Sequence, residues 1–358
     1  MKDEGSSFEH GFAALCGVRW IAVALMGALF SIFLGIGQAS AQTLPVSSRA
    51  SLSDILNKPL SPRAAAMGDA YVAVPDDPNT IFTNPAAISS LEIQDSSRLN
   101  AVSLSYSHYV LDLNEGAVVY EHPVPEGFLF AGDFAAGVQY FSGGSSVEAN
   151  AVGDPIGTFN TGDVALDLAY SSTASNGLHY GAGVKFVSSS LVSGSSVQNY
   201  GASWMAADLG LYYALERANM TFGFSVLNLG TELGTYAGVG DPVLPNVQVG
   251  ATIRPPHLPL LLSLAFQNLT RDREGRNIFY ALDDFCVGGE FTLGKVVRLR
   301  FGYQNELRHE LNVPTGNGFG GFSGGIGLHI KRYDIDFALD DQGPDFGSFV
   351  RFGLRTAF

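Results

Sequence analysis

Cysteine is nearly missing from this 358-residue chain, which has only Cys16 and Cys286. Cys286 alone lies beyond the N-terminal leader described below, so the remainder has no intrachain disulfide and no cysteine metal cluster. Charge is also scarce, at 15% of residues, and positive charge is scarcest: 20 Lys and Arg face 34 Asp and Glu, for a net −14. That balance excludes the basic footprint of a nucleic-acid binder. After Gln42 no run of eighteen apolar residues occurs, which excludes a helical membrane span there. What the chain does have is 43 Gly, 25 Phe and 14 Tyr. Low charge with many glycines and aromatics is unusual for a soluble globular protein. It suits a membrane barrel with aromatic girdles.

The leader has three parts. Residues 1–17 are polar or mixed, Arg19 adds a positive charge, and Ile21 to Gly37 is uncharged and apolar. Ala39-Ser40-Ala41 then forms a small-x-small cleavage site, so residues 1–41 read as a secretory signal. The competing reading is one membrane anchor, because about seventeen apolar residues sit at the lower limit for a spanning helix. The cleavage triplet and Gln38 favour removal, and Cys16, which precedes the apolar part, is not a lipid-attachment site. Cleavage removes Lys2, Arg19, Asp3, Glu4 and Glu9, which changes the net charge from −14 to −13.

From Asn100 onward the period is two. Phe134, Ala136, Val138 and Tyr140 alternate with Asp133, Ala135, Gly137 and Gln139. Tyr180, Ala182, Val184 and Phe186 alternate with His179, Gly181, Gly183 and Lys185; Val297, Leu299, Phe301 and Tyr303 alternate with Arg298, Arg300, Gly302 and Gln304. This pattern predicts strands with one apolar and one polar face. Fourteen are expected, near 100–107, 115–121, 128–141, 163–171, 178–187, 204–214, 220–228, 246–254, 260–268, 285–293, 296–304, 322–330, 333–339 and 348–357. Alternation alone also describes a soluble sandwich, so connection length decides. Short links such as Gly294-Lys295 and Lys331-Arg332 alternate with long ones at 142–162, 188–203, 229–245, 270–284 and 305–321. Short periplasmic turns alternating with long external loops mark an outer-membrane barrel. Hydrocarbon offers no hydrogen-bond partners, so the sheet has to close. The final strand carries Val350, Phe352, Leu354, Thr356 and the terminal Phe358 on one face, which fits an insertion signal. The expected organisation is a signal at 1–41, a plug or periplasmic segment at 42–97, and an all-β, roughly fourteen-stranded antiparallel barrel at 98–358. Its surroundings are outer-membrane lipid.

One run in the N-terminal segment is distinctive. Pro62-Arg63-Ala64-Ala65-Ala66-Met67-Gly68-Asp69 leads through Asp76-Asp77 to Asn84-Pro85-Ala86. It resembles the opening of the PorV/PorQ family, barrels of the type IX secretion system related to FadL-type transporters of hydrophobic compounds. Asp69 stands where that family often has a second glycine, and Thr83 where a bulkier residue is frequent. Leu227-Asn228-Leu229-Gly230, Leu244-Pro245, Phe266-Gln267-Asn268-Leu269-Thr270 and Ile330-Lys331-Arg332-Tyr333 look more like PorQ than PorV. The resemblance implies a non-enzymatic scaffold of the surface attachment complex, with PorZ-, PorU- and PorV-like partners and no cofactor. The alternative is a FadL-like transporter or channel for hydrophobic small molecules.

The motif residues also have plain physical roles. Pro85 lacks a donor and biases Asn84 toward extended geometry. Asn84 can bond nearby backbone, and Gly68 permits close packing. Asp76 and Asp77 are expected to accept from backbone amides or to pair with Arg298 or Arg300, and Arg63 belongs to the same run. A plug anchored to the wall accounts for this without a moving gate. His179, His329 and Cys286 fall at lumen-facing positions, but each is on a separate strand with no orienting-acid or oxyanion motif, so no catalytic or metal site is expected. Asp340, Asp341 and Asp345 are read as a solvated external loop whose spacing matches no calcium motif. Tyr200, Tyr236 and Phe319 are read as loop aromatics suited either to docking or to folding back over the pore.

Overall fold

The computed structural model describes residues 60–90, 100–109, 113–125, 131–150, 152–193, 200–235, 243–269, 284–310, 320–341 and 348–358. The leader and the expected limits at 42 and 97 lie outside the described residues, as do Tyr236, Phe319 and Asp345. Fourteen strands follow one another: β1 Ala101–His108, β2 Asn114–Val124, β3 Gly132–Ala149, β4 Pro155–Thr173, β5 Leu178–Ser193, β6 Tyr200–Leu215 and β7 Met220–Gly234. The second half comprises β8 Asn246–Ile253, β9 Leu260–Phe266, β10 Phe285–Leu293, β11 Val297–Gln304, β12 Phe322–Ile330, β13 Tyr333–Asp341 and β14 Ser348–Ala357. Two short helices accompany them, α1 at Pro62–Ala66 and α2 at Asn305–Glu310. Every strand pairs antiparallel with its neighbours, and β14 returns to β1 with Ala101 opposite Ala357 and His108 opposite Val350. Backbone bonds of 3.0 and 2.9 Å between Asn100 and Phe358 fasten the last residue to the start of β1. The sheet is closed, so no unpaired edge faces outward.

The sidedness of the strands identifies their solvent. Outward positions carry Leu104, Tyr106, Val118, Tyr120, Phe134, Val138, Leu166 and Phe224, all exposed. Inward positions carry Ser103, Ser105, Glu115, Glu121, Asp133, Asp167, Lys185, Gln248 and Arg300, all buried. A barrel with apolar residues outside and polar residues inside is stable in lipid and not in water. The chain is a transmembrane β-barrel; among the described residues no helix is long and apolar enough to span.

All fourteen predicted strands are present, but the two sides of the barrel differ in height. β4 has nineteen residues and β9 has seven, about 63 Å against 23 Å of strand. The links expected at 142–162, 188–203 and 229–245 are in part strand: β3 and β4 stay paired out to Ala149 opposite Pro155, and β7 runs to Gly234. These extensions read Ser-Gly-Gly-Ser-Ser and Gly-Thr-Phe-Asn-Thr. Beyond the lipid no apolar face is required, so the hydrophobic period that marks a membrane strand is absent while backbone pairing continues. Tyr200 likewise opens β6 instead of sitting in a loop. The opposite end has tight turns, with Gly177, Asn219, Gly294 and Lys331 in left-handed geometry.

Candidate functional site

The lumen contains the chain's own N-terminal segment. Leu60 to Ser90 belongs to the same compact unit as the strands and is almost wholly buried. Its local structure follows from its sequence. Ser61 caps α1, accepting from the Ala64 N–H, and Pro62 supplies a preset first turn. Gly68 and Asp69, both at positive φ, end the helix and reverse the chain. Asp77 caps a 3-10 turn at Pro78–Phe82, accepting from Asn79 N at 2.9 Å. Asn84 then stands before a second 3-10 turn at Pro85–Ser90.

This inner segment reaches around the whole wall. α1 lies against β11 to β14 and the 3-10 turns against β1 to β6. Between them Ser263 of β9 and Thr221 of β7 donate to the carbonyls of Ala70 and Ala73, and Val72 meets Gly250 of β8. Inward glycines permit this closeness: a Cβ on Gly223 would overlap the Val72 carbonyl, and one on Gly302 would overlap the Gly68 amide. Gly68 N also donates to Ser323 Oγ at 3.1 Å. Asn84 is the central clamp. Its Nδ2 donates to Val72 O at 2.8 Å and Leu211 O at 3.0 Å, while its Oδ1 accepts from Ala86 N at 3.1 Å. Pro85 packs its backbone on Gly181.

The remaining motif residues enter an ion network on one side only. Arg63 makes a forked pair with Glu290 of β10 at 2.9 and 3.0 Å; Glu290 is shared with Arg300 at 2.7 Å, and Arg300 continues to Asp336 at 2.6 Å. Of the two expected roles Asp77 takes the first, accepting from the Asn79 amide, and it does not pair with Arg298 or Arg300. It lies 3.9 Å from Arg63 and 3.7 Å from Arg355, and it accepts from the Tyr71 hydroxyl. Asp76 turns to Arg254 at 3.5 Å. The reason is that Arg298 and Arg300 already have partners on β13, beyond the intervening β12: Asp334 at 2.8 Å and Asp336. Burial holds the Tyr71 phenol well above its ordinary pKa, so it remains a donor. Burial raises the Asp69 carboxyl to about 7; Gln267 donates to its Oδ2 at 3.0 Å, and Oδ1 has no hydrogen-bond partner. Beneath this network, at the tight-turn end, lies a recess of about 890 Å³ lined in part by Arg254, Arg298, His329, Arg332 and Arg355.

Above the inner segment, toward the long hairpins, the lumen is layered differently. A row across β4, β5 and β6 places Ala165 opposite Val187 and Val187 opposite Trp204. With Ala202 these form a buried apolar cluster against which Val243 packs. Its floor is charged. Lys185, 1% exposed, reaches Asn228 at 3.0 Å, Asp208 at 3.2 Å and Asp167 at 3.5 Å. The β6–β7 register shifts between Ala207 and Leu209, which places Asn228 at positive φ so that its N–H donates to Asp208 at 2.7 Å. Lys185 was placed on the polar face by alternation but given no role. The available signal is that it is the one Lys or Arg between Arg98 and Arg217.

The other candidates are structural. Cys286 packs against Ala70, Val72 and Ala73. His179 contacts Ser89 at 2.7 Å and Thr173 at 3.0 Å, and His329 contacts Asp334 at 2.8 Å. Among the described residues no group of His, Cys, Asp or Glu could hold a metal ion. Asp340 is not in a solvated loop: it points inward from β13 and takes a forked pair from Arg351 at 3.0 and 3.3 Å. Strand β13 continues two residues further than the period suggested.

No protein-family profile and no curated sequence matches the chain. Solved structures do. The Ralstonia pickettii toluene transporter TbuX superposes with a TM-score of 0.53 at 14% identity, over 83% of this chain and 98% of that one. A deletion mutant of the monoaromatic hydrocarbon channel TodX gives 0.54 at 12% identity, over 82% and 97%. A FadL homologue from Pseudomonas aeruginosa gives 0.48 at 11%, over 83% and 98%. At these identities the likeness is one of fold.

Proposed function

We propose that this barrel lies in the outer membrane and passes hydrophobic small molecules inward, with residues 60–90 as its plug and the cluster around Trp204 as the place where a solute rests. The observation that carries this reading is the apolar row Ala165, Val187, Ala202 and Trp204, which packs on no residue of the inner segment, whereas the other buried apolar wall residues, such as Val119, Leu261 and Ala265, cluster with residues 60–90. A barrel needs polar residues inside; an inward Trp in a cluster against which Val243 packs has no such structural necessity. Two barrels of the same fold are transporters or channels of aromatic hydrocarbons by name, which supports the assignment. No enzymatic role is part of it. With the lower lumen filled, an apolar solute leaves most directly through the wall, and the β6–β7 register shifts beside Trp204 and again two rows below it.

The test is uptake. Expression in the outer membrane of a host without its own hydrocarbon channel raises accumulation of labelled toluene, and Trp204→Asp lowers it at least fivefold with unchanged barrel abundance. Equal uptake by both proteins sinks the reading. A second reading, the type IX attachment scaffold, rests on the Arg63–Ala86 motif and on the β3–β4 and β5–β6 hairpins, which offer a raised surface for PorZ-, PorU- or PorV-like partners. Affinity capture of such partners together with normal hydrocarbon uptake in the deletion strain would put it first.

A further inference from the structure

The recess at the tight-turn end, about 890 Å³ in volume, gathers charge of the sign the chain has least of. Its lining includes Arg63, Arg254, Arg298, Lys331, Arg332 and Arg355, six of the chain's 20 Lys and Arg. Against them stand Asp76, Glu290 and Asp334, so three positive charges are in excess. These acids are already engaged. Glu290 serves Arg63 and Arg300, Asp334 serves Arg298, Arg355 and His329, and Asp76 lies 3.5 Å from Arg254. The bases are not engaged to the same degree. Arg63 and Arg355 are the most buried, and they spend all their nitrogens on Glu290, on Asp334 and on the backbone carbonyls of Pro75 and Asp76. Arg298, 24% exposed, commits only Nη1, to Asp334, which leaves its Nε and Nη2 edge for a ligand. Arg254 commits only Nη2. Lys331 and Arg332, in the β12–β13 turn, have no acidic partner among the described residues. Arg332 is steadied by Tyr333, donating to its hydroxyl at 3.1 Å and lying 5.3 Å from its ring. A bond of 2.7 Å from His329 N to Val296 O brings this turn beside the strand that carries Arg298. Leu258 and Leu260 add apolar surface to the same recess.

We infer that this recess binds an anion of the phosphate class that carries a short apolar group, supplied as a soluble ester or as a membrane lipid headgroup. The Nε and Nη2 edge of Arg298 takes two phosphate oxygens at once, and Lys331, Arg332 and Arg254 close over the rest. Three surplus positive charges suit a tetrahedral group with up to two negative charges better than they suit a carboxylate. A recess also concentrates a field that the same charges on a flat surface would lose to solvent. The apolar group lies on Leu258 and Leu260. The site is separate from the Trp204 cluster, and hydrocarbon uptake tests that reading independently.

The experiment is isothermal titration of the full chain in neutral detergent with hexyl phosphate, heptanoate and hexanol. One hexyl phosphate is expected per chain, bound at least tenfold tighter than hexanol and at least threefold tighter than heptanoate, and weakening as salt is raised. Lys331→Gln with Arg332→Gln removes no ion pair, so the melting temperature should stay at the native value while affinity for hexyl phosphate falls at least fivefold. Native mass spectrometry after reconstitution with equal phosphatidylglycerol and phosphatidylcholine separates the two sources. One phosphatidylglycerol retained by the native chain and lost from the double variant identifies the lipid; hexyl phosphate binding with no lipid retained identifies a soluble ester. Absence of saturable hexyl phosphate binding, equal affinity for heptanoate or hexanol, or undiminished affinity in the double variant overturns the inference.

Discussion

The wall formed by β3 to β7 and the wall formed by β10 to β14 solve different problems with the same alternating strands. The second is short and rich in arginine: Arg298, Arg300, Arg351 and Arg355 are each paired to an acid, and through Glu290 the wall grips Arg63 of the inner segment. The first is tall, has Lys185 as its one buried base, and holds an apolar row above a charged floor. Paired arginines fix a segment in place because their forked geometry tolerates little displacement. A wall without them leaves room for something else to be held. The short side therefore holds the segment by ion pairs, while the tall side holds it by hydrogen bonds such as Asn84 to Leu211 and Thr221 to Ala73, with the apolar row above them.

Removing one charge from each wall should separate these roles, and the effect is the largest available. Glu290→Ala leaves Arg63 and Arg300 buried without their shared partner, a change that costs about 3–5 kcal/mol. The expected result is an unseated inner segment, seen as higher conductance in planar bilayers and new protease cleavage between Leu60 and Ser90. Lys185→Met strands Asp167 and Asp208 at similar cost but on the other wall. It should alter uptake while leaving conductance low. If both variants open the barrel equally, the division between the walls is wrong.

The pH dependence of the inner segment sharpens the anchored side. Asp69 sits near 7 when folded against an ordinary value of 3.8. A raised folded value means that protonation favours the seated state: the contribution is fully present below about pH 4 and falls away as pH rises through 7. About three units correspond to an upper bound of roughly 4 kcal/mol. Asp69→Asn should therefore stabilise the seated segment at pH 8, leave it unchanged at pH 4, and flatten the slope between them. Thermal melts of the detergent-solubilised protein at the two pH values check this, and an unchanged slope in the variant would exclude Asp69 as its source.

The sequence displayed the barrel because lipid imposes a rule on every second residue. Tyr180, Val184 and Phe186 have to be apolar, and Gly294 or Lys331 can only mark a tight turn between such runs. The same rule was silent where lipid ends, so Ser142 to Ala149 read as a loop while its backbone stays paired with β4. The motif was legible as a fixed segment, and Asn84, Pro85 and Gly68 do bond and pack as their chemistry suggested. Their partners were not legible. That Arg63 meets Glu290, 227 positions away, depends on how a closed cylinder brings distant strands around one segment. Asp340 was misplaced for a related reason: an inward acid that serves Arg351 looks, in one dimension, like a loop acid.

The smallest expected effect lies at the tip of the tall wall. Asn150 closes the β3–β4 hairpin by accepting from Val152 N at 3.0 Å and Asp154 N at 2.9 Å, and Gly153 takes positive φ beside it. These groups are exposed, so Asn150→Ala removes about 1 kcal/mol or less of local turn stability. The tip stands above the lipid and touches no part of the inner segment, so this loss should not reach the barrel. Amides of Ser145 to Thr158 are expected to exchange severalfold faster while the melting temperature and conductance stay at native values. A fall in melting temperature would show that the raised hairpins belong to the same cooperative unit as the spanning strands.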